Sequence, residues 1–315
     1  RDIFKEYFFL FIIILLIVKS YTNKFSLPFS LSTVNKCTST INNFNFTLFY
    51  KKHKAYLPKH IGPSNNFLTW FIGFSEAEGS FIVNNRGDLA FIITQSTTDI
   101  GVLYFIEETL GFGKVISQSI KCSRYVTQSK KEIDIIISIF NGNTVLPTRQ
   151  KKLDLFIKGF NSWSSKGNIR LEPYTYINNT ILPSLNNSWL TGFTDGEGCF
   201  TCSIGDKKGF SFKFCIAQKG ESNLVILQEL CVLFKGGVVS NHNVKDVYEY
   251  RIAGVNACPS VFKYFNEYTL LTKKSISYTL WKDLHHDLAA KNHLDPLKKL
   301  LMREKARMIN KSNVF

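Results

Sequence analysis

Hydrophobic positions along the chain change period in a fixed order, and they do so twice. Phe67, Leu68, Phe71, Ile72 and Phe74 fall at helical spacing behind a cap at Ser64 or Asn66. The pattern then alternates. SFIVNNRG (80–87) and LAFIITQS (89–96) read as two strands about an Arg-Gly-Asp turn, and 99–110 reads as a helix. Strands follow at 113–119 and 124–130, then helices at 131–141 and 149–160. The second pass predicts strands at 199–206 and 209–218, a helix at 221–234, and strands at 237–241 and 247–253. Helices are predicted near 256–267, 273–291 and 295–309. The repeated unit is αββαββα, an α+β design in tandem.

The helix that opens each unit carries nearly the same words. Residues 70–81 are WFIGFSEAEGSF and residues 189–200 are WLTGFTDGEGCF. The acids are Glu76 and Glu78 in one, Asp195 and Glu197 in the other. Small residues interrupt each apolar run: Thr69, Gly73 and Ser75, then Thr191, Gly192 and Thr194. Glycine weakens a helix interior, so its use there points to close approach of two backbones. If the two helices pack together, their ends meet and Glu78 lies beside Glu197. Adjacent carboxylates repel unless a cation sits between them, and two hard oxygen donors suit Mg²⁺. The likeness extends further. FIITQ (91–95) matches FCIAQ (214–218), which aligns Gln95 with Gln218, and LGFGKV (110–115) matches FKGGVV (234–239).

Outside the units the chain reads differently. Residues 1–61 are expected to be a flexible leader holding one apolar run, YFFLFIIILLIV (7–18), too short to be a clear membrane span. Arg1 in first position leads to the expectation of a start codon upstream. Removing residues 1–58 is expected to leave activity intact, because the leader carries none of the repeat. The first unit is placed at 62–161 and the second at 188–315. Residues 162–187, rich in Ser, Asn and Pro, are placed as a linker.

Composition narrows the partner. The 315 residues hold 39 Lys+Arg against 24 Asp+Glu, a formal charge of +15. An anionic partner is implied, nucleic acid first. Seven cysteines without framework spacing favour free thiols. Cys199 and Cys202 form a CxxC, but on a strand they point to opposite faces. Abundant Phe, Ile, Asn and Lys are the products of A/T-rich codons, as in organellar genomes.

The double motif and repeated unit resemble single-chain LAGLIDADG homing endonucleases encoded by organellar introns, over roughly residues 62–312. That resemblance implies a pseudo-two-fold fold with motif helices at the interface and two four-stranded antiparallel sheets forming saddles over DNA. It implies site-specific double-strand cleavage in the mitochondrion, with Mg²⁺ or Mn²⁺ held by Glu78 and Glu197, the last acid of each motif. Glu76 and Asp195 are then structural. The resemblance also places Gln95, Gln218 and Lys274 at the catalytic centre, and leaves Arg149 or Lys151 as the counterpart of Lys274. The alternative it carries is a maturase that splices intron RNA on the same fold.

Strand alternation then nominates a base-reading face. In the first unit Ser80, Ile82, Asn84 and Arg86 are expected to point outward, with Phe81 and Val83 inward, and Gln118 and Gln128 are added. In the second unit the outward set is Thr201 and Ser203 (with Cys199), Ser211, Lys213 (with Cys215), His242, Glu249 and Arg251. The expected partner is double-stranded DNA with an asymmetric site on the order of 20 base pairs, bound by a monomer.

Overall fold

The computed structural model describes residues 43–309, so the apolar run at 7–18 lies outside the described residues. No helix among the described residues is long and apolar enough to cross a membrane. Helix α1 (Thr47–Tyr56) comes first. The first unit follows: α2 (Asn65–Glu78), β1 (Gly79–Val83), β2 (Leu89–Ser96), α3 (Ile100–Leu110), β3 (Lys114–Ser119), β4 (Cys122–Thr127), α4 (Lys130–Phe140) and α5 (Pro147–Ser164). The second unit repeats it: α6 (Trp189–Glu197), β5 (Gly198–Ile204), β6 (Phe210–Lys219), α7 (Leu224–Leu233), β7 (Val238–Asn241), β8 (Val247–Ala253), α8 (Pro259–Glu267) and α9 (Lys274–Ala289). Helix α10 (Pro296–Met308) ends the described chain. The expected α+β tandem repeat is the observed architecture.

Each unit carries one antiparallel sheet of four strands, ordered β1-β2-β4-β3 and β5-β6-β8-β7. One face of each packs on helices. In the first unit Phe81, Phe91, Phe140 and Phe156 meet ring against ring. In the second Phe200, Phe214, Phe265 and Trp281 do the same. The opposite faces are open.

The two units are joined through α2 and α6. These helices are buried along almost their whole length. A Cβ built on Gly73 would stand 2.0 Å from the Trp189 carbonyl oxygen, and one on Gly192 would stand 1.9 Å from that of Trp70. Glycine is therefore required for the backbones to touch at this crossing. The units also cap each other's last helices. Asp99 Oδ1 accepts from Lys273 N at the start of α9 (3.0 Å), and Asn223 Oδ1 accepts from Thr148 N at the start of α5 (3.3 Å). Side-chain oxygens at helix starts satisfy N–H groups that lack an intrahelical partner.

The leader expectation fails for its C-terminal part. Helix α1 is docked, with Phe46, Phe49 and His53 buried. Its anchor is Asp134 on α4, a fully buried carboxylate that accepts from Lys52 Nζ at 2.6 and 2.7 Å and from Tyr56 Oη at 2.6 Å. A charge that is only compensated after folding is invisible in sequence. Deleting residues 1–58 should therefore destabilise the protein by about 3–5 kcal/mol, because Asp134 would lose the Lys52 ammonium and the Tyr56 hydroxyl and the buried Phe46 and Phe49 would be gone from the core. Urea unfolding measures this, and an unchanged midpoint would show that α1 is dispensable.

Of the stretch at 162–187, the first three residues complete α5 and 165–187 form no helix or strand, yet they are held. Tyr174 meets Phe160 edge to face and donates to the Asp134 carbonyl at 2.9 Å, while Asn161 and Asn141 bond to the backbone of 174–177.

Candidate active site

The acids of the two motifs separate into two roles. Glu76 Oε1 accepts from Val145 N and Leu146 N, each at 2.8 Å, and Glu76 Oε2 accepts from Trp189 Nε1 at 2.7 Å. Asp195 accepts from Leu271 N and Thr272 N at 3.0 Å, from Thr272 Oγ1 at 2.6 Å, and from Trp70 Nε1 at 2.8 Å. Each first acid thus fixes the loop before the last helix of its own unit and accepts the tryptophan of the other unit. Burial pushes the Glu76 carboxyl up to about 7, against N–H donors that favour the ionised form. All four carboxylate oxygens of these two acids are taken up by protein donors.

The second acids stand free of that scaffold. Glu78 and Glu197 end α2 and α6, where the crossing brings the helix ends together. Glu78 is half-buried and Glu197 is open to solvent. Burial raises each carboxyl above the usual range, and the Glu78 charge raises Glu197 further. Gln95, near the end of β2, hydrogen-bonds to Glu78, and Gln218, at the matching place on β6, hydrogen-bonds to Glu197. Helix and strand of the same unit therefore orient each carboxylate.

A cation lies under each helix end. Lys274 Nζ donates to the Thr194 carbonyl at 3.0 Å and to that of Gly196. Arg149 Nε donates to the Glu76 carbonyl at 2.6 Å, while its terminal nitrogens donate to Gly79 and Ala77 at 2.9 and 3.0 Å. Last-turn carbonyls lack intrahelical partners, and cations suit that end of the helix dipole. The same contacts make Arg149 the counterpart of Lys274, whereas Lys151 is exposed on α5. A loop register that differs between the units hides this match in sequence. Burial lowers the pKa of Lys274, opposed by Asp195 and both glutamates.

The open sheet faces hold most of the nominated base readers, with some corrections. In the second unit Thr201 pairs with Lys213, Ser203 with Ser211, and Glu249 and Arg251 continue that face on β8. Cys199 and Cys215 are opposite each other at its inner end. His242 follows β7, where its Nδ1 accepts from Val244 N. In the first unit Ser80 and Ile82 lie on the open face. Asn84 and Arg86 do not continue the strand, because β1 stops at Val83. Asn84 Oδ1 accepts from Arg86 N and Asp88 N at 2.9 Å and closes the turn, leaving Arg86 at its tip. Val83 faces inward with Phe81, against Gly159 of α5, and is 43% exposed because it ends the strand. Gln118 sits at the irregularity between Ser117 and Ser119, and Gln128 is exposed just past β4. Missed altogether were Ile92, Thr94, Arg124 and Val126, which occupy the middle of that face. Alternation along β2 and β4 carried the signal, since Phe91, Ile93 and Tyr125 are the buried set.

Residues 71–160 and 190–285 match the LAGLIDADG endonuclease family model. The chain belongs to the LAGLIDADG endonuclease family. A probable intron-encoded endonuclease 4 of Neurospora crassa is 38% identical over 255 residues, which are 78% of this chain and 45% of that protein. An uncharacterized cox1 intron-2 protein of Schizosaccharomyces pombe is 28% identical over 273 residues, 83% of this chain and 78% of that one. This LAGLIDADG chain thus spans less than half of the Neurospora relative's length. A crystal structure of meganuclease I-SmaMI bound to uncleaveable DNA matches with a TM-score of 0.66 at 20% identity, covering 81% of this chain and 100% of that one. The LAGLIDADG fold is common to the two.

Proposed function

We propose that the chain is a site-specific endonuclease that hydrolyses one phosphodiester bond in each strand of a DNA duplex, acting as a monomer. Residues 62–161 and 188–315 form its two halves. The observation that carries this reading is the pairing of Glu78 with Glu197. Each half supplies one carboxylate, each is oriented by its own strand glutamine, and the pair lies between two open sheet faces. The relatives' names as intron-encoded endonucleases and the DNA in the I-SmaMI structure support it. The cox1 intron origin in the Schizosaccharomyces relative's name supports a mitochondrial intron product.

The donor set fits a divalent cation of the Mg²⁺ kind. Glu78 and Glu197 offer hard oxygens at one place, and among the described residues no group of three or more His, Cys, Asp or Glu gathers into a metal site. Mg²⁺ takes one or two carboxylates and completes its shell with water and phosphate oxygens. Bound there, the cation would supply positive charge to the oxygens around phosphorus. The chain's own residues do the rest. Gln95 and Gln218 hold the carboxylates in one orientation. Arg149 and Lys274 keep positive charge under the helix ends, offsetting repulsion between the glutamates. The open faces place the scissile phosphates over the carboxylate pair, so that water attacks phosphorus and the 3′ oxygen leaves.

The test is incubation of the purified protein with the intron-less allele of its host gene. Cleavage of both strands in Mg²⁺, none in EDTA, and one chain per site on sizing are the expected results. A protein that leaves this DNA uncut and binds the intron RNA tightly would overturn the reading in favour of splicing.

A further inference from the structure

The two open faces differ in chemistry. In the first unit four β-branched aliphatics, Ile82, Ile92, Ile116 and Val126, lie on the face beside Ser80 and Thr94, as strand register requires. Ile82 is 38% exposed and Ile116 47%, unusual for β-branched aliphatics. Two cations share the face: Arg124, between Thr94 and Ile116, and the exposed Lys114, opposite Val126 at the β3 edge. In the second unit the positions matching Ile82, Ile116 and Val126 are Thr201, Ser240 and Arg251, while Cys215 matches Ile92 and the exposed Val238, at the β7 edge, matches Lys114. Lys213, Glu249 and Arg251 lie there among Ser and Thr, with Arg251 and Glu249 3.8 Å apart.

Aliphatic groups facing a major groove find one apolar feature on its floor, the C5-methyl of thymine. Lysine and arginine find O6 and N7 of guanine, and a carboxylate finds N4 of cytosine. We infer that the two saddles are weighted toward different base chemistries: the first toward thymine, whose methyl groups its four aliphatics contact, the second toward G·C pairs, which it hydrogen-bonds. The aliphatic face is continuous with the carboxylate pair through β1, and the chain's formal charge is +15. A nucleic-acid groove therefore matches its setting better than a second copy of an equally basic chain. The inference rests on the saddles contacting DNA, as the endonuclease reading requires.

The experiment uses duplexes recovered by the protein from a randomised pool by binding, so it does not depend on cleavage. Recovered sites are resynthesised with deoxyuridine for thymine, which removes the methyl and keeps every base-pair hydrogen bond. A second series carries 7-deazaguanine for guanine, which removes the N7 acceptor. The expected result is an asymmetric site. Deoxyuridine in one half weakens binding about fourfold per contacted methyl, the equivalent of one buried methyl group, and has a smaller total effect in the other half, where Val238 is the exposed aliphatic. 7-Deazaguanine weakens binding in that other half. Ile116→Ser should remove the deoxyuridine effect at the methyl it contacts while leaving the deazaguanine effect, and Arg251→Ala should remove the deazaguanine effect at its own base pair while leaving the deoxyuridine effect. Ile116 is exposed, and the melting temperature of Ile116→Ser is checked against the parent. Equal deoxyuridine sensitivity in the two halves, or none in either, overturns the inference. So does a dimer in the absence of DNA that Ile116→Ser dissociates. A site that is bound with this asymmetry yet never cut in Mg²⁺ overturns the endonuclease reading and leaves the inference standing.

Discussion

Glu78→Gln should reduce cleavage of both strands more than about 100-fold, and Glu197→Gln should do the same, with DNA affinity kept within a few fold. Glutamine preserves the size of the side chain and its partnership with Gln95 or Gln218, so only charge and cation affinity are lost. Because the two carboxylates meet at one place, neither substitution should spare a strand. The assay is conversion of a supercoiled target plasmid, which separates nicked from linear product. Linear product at the parental rate from Glu78→Gln would sink the assignment, and clean nicking would mean that each acid serves one strand alone. Glu76→Gln belongs to another class, since its carboxylate is used up by Val145, Leu146 and Trp189, and its effect should fall on stability. The pH profile has a definite sign. Burial and the Glu78 charge raise the Glu197 carboxyl, and only the ionised pair holds a cation. Cleavage should therefore fall as pH drops, starting at a higher pH than a solvent glutamate would give.

What the sequence disclosed was whatever depends on local period and on repetition. Alternation places strands within a few residues of their observed bounds, as in Leu89–Ser96 and Val247–Ala253, because one face of each strand is fully buried. Repetition exposed the glutamate pair and the two glutamines. The losses have a common cause, which is partnership across long separations. Helix α1 is basic, with Lys51, Lys52 and Lys54, and looks solvated until Asp134 is found buried beneath it. Arg149 is disguised because α5 and α9 begin at different distances from their cations: Pro147 starts one and Lys274 itself starts the other. Asn84 looked like a strand residue, but its side chain satisfies the turn amides, which ends the ladder at Val83. The polarity of the first saddle was overestimated for the same reason. The nominated residues came from the turn, while the aliphatic positions on β2 and β4 were passed over.

Gly192→Ala should be more damaging than any substitution on the sheet faces. The added methyl would lie 1.9 Å from the Trp70 carbonyl oxygen, 2.8 Å from the Trp70 carbonyl carbon and 2.9 Å from Phe74 N. All three are backbone atoms inside a helix, so no rotamer change relieves the overlap and the helices must move apart. Separation pulls Trp70 from Asp195 and Trp189 from Glu76, two buried hydrogen bonds to carboxylates, each worth roughly 1.5–3 kcal/mol. With the steric cost added, a loss of about 5 kcal/mol is expected, comparable with the whole stability of a modest domain. Gly73→Ala should match it, since the crossing is pseudo-symmetric. The control is Gly101→Ala in α3, where a Cβ meets nothing within 4 Å. There the exchange should stabilise by about 0.5–1 kcal/mol, because alanine loses less backbone entropy on folding. Thermal and urea unfolding of the three variants side by side decides the matter. A Gly192→Ala protein that melts with the parent would mean that the helices do not meet through their glycines. The approach of Glu78 to Glu197 would then lose its structural basis, because those carboxylates are brought together only by the crossing of α2 and α6.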